Sequence, residues 1–289
     1  MHFREYKTIL SPKNGMNLYR GCTHGCIYCD SRSVCYQMDH AFEDIEIKQN
    51  APLILENQLK RRKQKCMIKT GAMSDPYIHL EDTLKQTRKC LEVIDRYGFG
   101  LSIQTKSDRI LNDLDLLKSI HQKAKCVVEI TLTTYDDQLC KIIEPDVSET
   151  SKRINVLKIL KDEGIPTVVW LSPILPFIND TEENLRGILD ACIEQKVNGI
   201  LCFGFSVTLR DGNREYFYAK LDEHFPGIRR KYEETFGNSY VCASRNHVKL
   251  MQIFEETCIE HGILYRPEDV FAYLHQFEKK THHFSLFEE

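Results

Sequence analysis

Three cysteines fall within one short loop, Gly21-Cys22-Thr23-His24-Gly25-Cys26-Ile27-Tyr28-Cys29, with the spacing C-x3-C-x2-C. Soft thiolates at such close spacing suit zinc or an iron–sulfur cluster. A cluster of four irons held by three cysteines keeps one iron without a protein ligand, free to take a substrate or cosubstrate. Zinc would require a fourth donor, and His24, Asp30 or Cys35 is close enough in sequence to supply it. Three unrelated core thiols fit less well, because free cysteines ordinarily scatter through an interior. Gly21 and Gly25 relieve backbone crowding where the chain curls around a bulky centre.

The elements that must position this loop are read from hydrophobic period. Short β-rich runs alternate with amphipathic helical ones, the pattern of a parallel sheet with crossover helices. Strands are expected near Met16–Arg20, Cys66–Ala72, Gly100–Lys106, Cys126–Thr133, Pro166–Ser172 and Gly199–Phe205. Helices are expected over Glu81–Tyr97, Ile110–Gln122, Glu149–Glu163 and Thr181–Gln195, with Asp108 and Asp180 as caps. The fold class is α/β, with six βα units forming an open barrel whose site would lie at the C-terminal ends of the strands. From about Glu215 the pattern turns helical, clearest over Val248–Cys258 and Asp269–Phe277. Residues 1–210 are therefore expected to form the barrel and 211–289 a helical extension closing one side of it, loose from Lys279 to Glu289.

Strand parity gives the barrel a polar interior. Ser102, Gln104 and Lys106 share one face of their strand, opposite Leu101 and Ile103. Glu129, Thr131 and Thr133 likewise oppose Val128, Ile130 and Leu132. Buried charges need partners, so Lys106 and Glu129 are expected to face one another across a cavity for a polar ligand, or to form an internal ion pair.

Composition sets the surroundings. Of 289 residues, 42% are hydrophobic and 28% charged, and no apolar run approaches the roughly 20 residues of a membrane span. Met1 to Leu10 is polar and mixed in charge, unlike a signal peptide. Twelve cysteines spread along a large chain without an export signal point to a reducing cytoplasm rather than to disulfides. Cys90, Cys126, Cys192 and Cys202 sit in apolar patterns and read as core residues. A net charge of −3 argues against a strongly electrostatic nucleic-acid binder, though it leaves room for a local groove. The basic run Lys60-Arg61-Arg62-Lys63-Gln64-Lys65 reads as a solvated helix end.

The cysteine loop, with Tyr28 before its third thiol, resembles the signature of the radical S-adenosylmethionine (SAM) superfamily. Within it, Asn17-Leu18-Tyr19-Arg20-Gly21-Cys22, Ser74-Asp75-Pro76, Thr105-Lys106-Ser107 and Pro173-Ile174-Leu175-Pro176-Phe177-Ile178-Asn179-Asp180 resemble the spore photoproduct lyase-like family, from about Gly15 to His261. The resemblance implies a partial (β/α)6 TIM-like barrel and a 4Fe–4S cluster held by Cys22, Cys26 and Cys29. It implies a SAM molecule contacted by Tyr28, Ser74, Lys106 and Thr131. It further implies reductive cleavage of SAM to methionine and a 5'-deoxyadenosyl radical, with electrons from a flavodoxin or ferredoxin. Spore photoproduct lyases carry a hydrogen-donating cysteine just before a Ser-Asp pair, where this chain has Ala72-Met73-Ser74-Asp75. Alanine has no S–H to give, which argues against direct repair of a thymine photoproduct by that route. Cys35 and Cys242 are the candidate replacement donors, and the substrate stays open between a nucleic-acid lesion and a small molecule or peptide.

Overall fold

The central strands are buried along both faces, as a parallel sheet covered by helices outside and filled within requires. Cys126–Thr131, for example, is buried at every position. In the computed structural model, which describes residues 1–280, six strands lie side by side in chain order. They are Gly15–Met16, Met67–Thr70, Gly100–Thr105, Cys126–Thr131, Thr167–Trp170 and Gly199–Leu201. Every neighbouring pair is parallel. Among the described residues the first and sixth strands do not pair, so the sheet is an open, partial TIM-like barrel.

The outer layer follows from the apolar faces of the strands. Leu101, Ile103, Val128, Ile130 and Val169 join one core with Leu91, Ile94, Leu117, Leu157 and Ile188 of the crossover helices. Burying each such side chain is worth roughly 1.5–3 kcal/mol. The helix expected over Glu81–Tyr97 divides at Lys85, whose φ of 50° breaks it into Glu81–Leu84 and Gln86–Tyr97. The helix expected from Ile110 begins instead as a 3-10 turn over Asp108–Asp113 before continuing as Leu114–Lys123. Ser107 and Thr181, not Asp108 and Asp180, supply the capping oxygens, accepting from the Arg109 and Asn184 amides. Asp108 lies inside the first turn and accepts from Ser148 Oγ at 2.6 Å, while Asp180 accepts from Ser244 Oγ at 2.5 Å.

Several small elements escaped the pattern. The run expected as one strand over Met16–Arg20 splits, with Gly15–Met16 in the barrel and Tyr19–Arg20 in a second sheet with His2–Glu5 and Glu46–Gln49. A further antiparallel pair joins Ser206–Thr208, just before the extension, to Val241–Ala243 within it, across two intervening helices. Strands of two to four residues are too short to show alternation.

The extension does more than close one side. Helix His247–Glu260 packs on Glu182–Glu194 and continues the outer layer. Helix Pro267–His275 enters the barrel from below, where Val270 and Leu274 pack on the inner-face residues Val127, Val168 and Leu201. Helices Asn213–His224 and Ile228–Phe236 bring Phe217, Tyr218, Leu221 and Tyr232 into a cluster with Cys26, Ile27 and Tyr28. Of the end expected to be loose, Lys279 pairs with Ala124, and residues 281–289 lie outside those described. Among the described residues no helix is long and apolar enough to cross a membrane.

Candidate active site

The thiol loop is shaped by its first glycine and pinned at two points. Gly21 has φ +85°, and a Cβ there would stand 2.3 Å from Phe42 O, so only glycine fits. The Ile27 amide donates to Ile143 O at 3.0 Å, and the Asp146 amide to His24 O at 3.2 Å. The loop is thereby held over the C-terminal ends of the second to fourth strands, the active end of such barrels. There Cys22, Cys26 and Cys29 line one cleft together with Ser74, Lys106 and Thr131.

Asp75 fastens the wall of this cleft. Its carboxylate accepts from Thr105 Oγ1 at 2.7 Å, from the Lys106 amide at 2.7 Å and from the Tyr77 amide at 2.8 Å. Ser74 Oγ donates to Gly21 O at 2.6 Å, joining the wall to the thiol loop. Gly71 begins that wall at φ +102°, where a Cβ would lie 2.0 Å from Gln104 O.

Charge is organised around Glu144, which is fully buried. It accepts from Tyr28 OH and from Arg153 Nη2, and Thr133 Oγ1 lies 3.3 Å away. Lys106 Nζ stands 3.8 Å from Glu144 Oε1, 3.7 Å from Cys26 Sγ and 5.1 Å from the centre of the Tyr28 ring. Burial pushes the Glu144 carboxyl up, but Arg153 and Lys106 outweigh it and hold the group down to about 2. Burial would lower Lys106, yet Cys26, Tyr28 and Glu144 raise it well above the usual lysine value. Of the charged groups, Lys106 and Asp75 line the cleft itself, and with Asp75 committed to Thr105 and two amides, the Lys106 ammonium is the cation available to an anionic ligand. Burial also pushes the Cys22 thiol up to about 12 and raises Cys26. A bound metal would displace these protons.

The structure corrects the expected pairing of Lys106 with Glu129. Glu129 lies deeper in the barrel, where it accepts from Ser102 Oγ and from Trp170 Nε1. Lys106 keeps the inward face shared with Gln104 and lines the same cleft as Thr131, but Glu129 is in register with Gln104, one inward layer below, so the carboxylate that Lys106 meets is Glu144. Glu144 and Arg153 were not singled out from sequence. Glu144 sits just after helix Asp137–Ile143, where no periodic signal marks it; the buried Arg153 on an otherwise apolar helix face was the available clue. Cys35 is exposed, with Arg210 Nη1 3.1 Å from its sulfur. Cys242 is buried in the cluster around Tyr232, and neither lines the thiol cleft.

Below the cleft lies a second recess lined by Lys69, Ser102, Glu129 and Trp170, and floored by Phe271 and Leu274 of the plugging helix. Ala72 and Gln104 line both recesses. The polar faces inferred for the third and fourth strands thus do border cavities.

An open parallel barrel with three thiols and a lysine at its mouth is a scaffold suited to a bound cofactor. Residues 16–192 match the model of the radical SAM superfamily, and the chain belongs to that superfamily. Enzymes of this superfamily use a 4Fe–4S cluster and SAM and draw on an electron donor. An uncharacterized protein of Methanocaldococcus jannaschii is 35% identical over 176 residues, 60% of this chain and 65% of that protein. An uncharacterized protein of Mycobacterium tuberculosis is 26% identical over 227 residues, 76% of this chain and 66% of that protein. The matches span about two thirds of the length of these relatives. Spore photoproduct lyase complexed with dinucleoside spore photoproduct superposes with a TM-score of 0.59 at 14% identity, covering 86% of this chain and 74% of that one. That likeness is one of fold.

The donor set fits a cluster with an exchangeable position. Three soft thiols of one loop share the cleft with His24, whose buried Nε2 has no partner among the described residues and whose ring burial keeps neutral.

Proposed function

We propose that Cys22, Cys26 and Cys29 hold the 4Fe–4S cluster and that Tyr28, Ser74, Lys106 and Thr131 form the SAM site beside it. The observation that carries this reading is the convergence of the three thiols with Lys106 on one cleft at the active end of the barrel. When bound, the cluster supplies the electron that cleaves SAM into methionine and a 5'-deoxyadenosyl radical. The chain's own residues bind and orient. Lys106 presents a cation for a carboxylate, fixed by Glu144, which is itself held by Arg153. Ser74 spans from the wall to the thiol loop, and Tyr28 closes the inner side with its hydroxyl committed to Glu144.

The substrate occupies the lower recess, where Gln104 and Glu129 offer polar contacts and Trp170 a flat apolar one. Ala72 stands between that recess and the cleft with no S–H to donate, which argues against the reaction of a thiol-assisted photoproduct lyase. Within the extension of residues 211–289, the part described to residue 280 packs round Tyr28 and plugs the barrel. A flavodoxin- or ferredoxin-type donor in a reducing cytoplasm completes the system, consistent with twelve free cysteines.

Electron paramagnetic resonance of the anaerobically reconstituted, dithionite-reduced protein tests this assignment. SAM is expected to shift the cluster signal of the natural chain and to shift it less in Lys106→Met. A protein that holds zinc in place of iron, or a cluster signal indifferent to SAM, would overturn it.

A further inference from the structure

Away from the thiol cleft, the second sheet gathers two imidazoles and a carboxylate from three places in the chain. Ligand atoms of His2, His40 and Glu46 lie within 4.8 Å of one another. Glu46 Oε2 is 3.8 Å from His2 Nε2 and 3.9 Å from His40 Nε2. The Glu46 side chain is fully buried and that of His40 only 10% exposed. His40 Nε2 is buried and has no hydrogen-bond partner among the described residues.

The other ring nitrogens fix the protons. His2 Nδ1 stands 3.0 Å from Asp44 Oδ2, and His40 Nδ1 stands 2.9 Å from Ala41 O. Both partners only accept, so each Nδ1 carries a hydrogen and Nε2 is the ring nitrogen facing Glu46 Oε2. Histidine held by a carboxylate or carbonyl through its far nitrogen is the usual setting of a metal ligand. Two atoms each about 2.0–2.1 Å from a tetrahedral zinc stand about 3.3 Å apart, so the gaps close with small side-chain movements.

We propose that His2, His40 and Glu46 form a site for a divalent metal of zinc type, separate from the thiol cleft, with solvent in the fourth position. Tyr6 OH donates to the other oxygen, Glu46 Oε1, and leaves Oε2 to the metal. The competitor is Arg4, whose Nη1 lies 2.8 Å from Glu46 Oε2; it is half exposed and already reaches Asp39 at 3.1 Å, to which it can turn. The Met1 amino group occupies the second oxygen of Asp44 at 2.7 Å. The site joins the first strand to the segment 40–46, whose Phe42 carbonyl packs against Gly21 at the root of the thiol loop. A metal here braces that loop from behind.

The test uses tag-free protein with its thiol site reconstituted, dialysed against zinc with a competing chelator, and counts zinc and iron per chain. The expected result is one zinc beyond the iron of the cluster, lost in His40→Ala with the iron retained. Two exposed positions guard against a misfolded variant. Asp44→Asn is expected to weaken zinc roughly tenfold or more by freeing the His2 ring, and Arg4→Ala to strengthen it by removing the competing guanidinium. No added zinc on the natural chain, or zinc unaffected by all three substitutions, would overturn the proposal and leave protons and Arg4 as the cations that neutralise Glu46.

Discussion

The two ends of the barrel interior are built from the same strand faces and have opposite chemistry. At the bottom, Val127, Val168 and Leu201 meet Val270 and Leu274 in a dry apolar plug. Two residues up from Val127 comes Glu129, bonded to Ser102 and Trp170, and two further up Thr131, at the thiol cleft. Polarity rises along one inner face within the length of a strand. The plug stores packing energy and needs no partners beyond contact, whereas every buried charge above it is matched: Glu144 by Arg153 and Lys106, Asp75 by Thr105 and two amides. Stability and chemistry are thus separated by height, and substitutions should divide accordingly.

The division is most exposed to test at Glu144. Glu144→Ala strands Arg153 in the interior and is expected to cost roughly 3–5 kcal/mol in denaturant unfolding while also abolishing SAM cleavage; loss of only one of these would break the link between the two. Next comes the plug, where Leu274→Ala should cost roughly 2–5 kcal/mol. Affinity of the folded protein for SAM, followed by equilibrium binding, should not change, and a large change would show the two ends to be coupled. Lys106→Met removes a charged contact worth about 1.5–3 kcal/mol, so KM for SAM should rise roughly 10- to 100-fold with little change in stability. Ser74→Ala, losing the bond to Gly21 O, should cost about 1 kcal/mol and lower the temperature at which the reconstituted cluster is lost.

Acid should act first at the polar end. The Glu144 carboxyl sits at about 2 when folded, against 4.5 for the free group. The folded chain therefore binds fewer protons here than the unfolded one. Its contribution is complete above about pH 4.5 and is lost as pH falls toward 2. Unfolding curves of the cluster-free protein should show this slope, and Glu144→Gln should flatten it.

Much of this arrangement was legible in the sequence. The thiol spacing announced a soft-metal centre, and period-2 and period-3.6 runs placed the strands at 67–70, 100–105, 126–131, 167–170 and 199–201 with their helices. What could not be read depended on register and on groups past the ends of elements. Parity put Lys106 and Glu129 on the same interior correctly, but it does not give register: Glu129 lies opposite Gln104, and the carboxylate Lys106 meets comes from position 144, just past a helix, with no periodic signature. The His2, His40 and Glu46 cluster was equally silent, since His2 reaches the 40–46 segment only through the pairing of two strands too short to announce themselves. The plug was hidden for another reason: helix Pro267–His275 has an ordinary amphipathic pattern, and sequence does not say which cavity its apolar face fills.

The central claim is that the cleft at the mouth of the barrel performs reductive SAM cleavage through the thiols of the 22–29 loop. Its most direct test is anaerobic reconstitution, reduction with dithionite in the presence of SAM, and assay of 5'-deoxyadenosine beside a Cys26→Ala control. The account predicts 5'-deoxyadenosine from the natural chain and none from Cys26→Ala. Equal product from both, or none from a natural chain carrying a full complement of iron and sulfide, would contradict it.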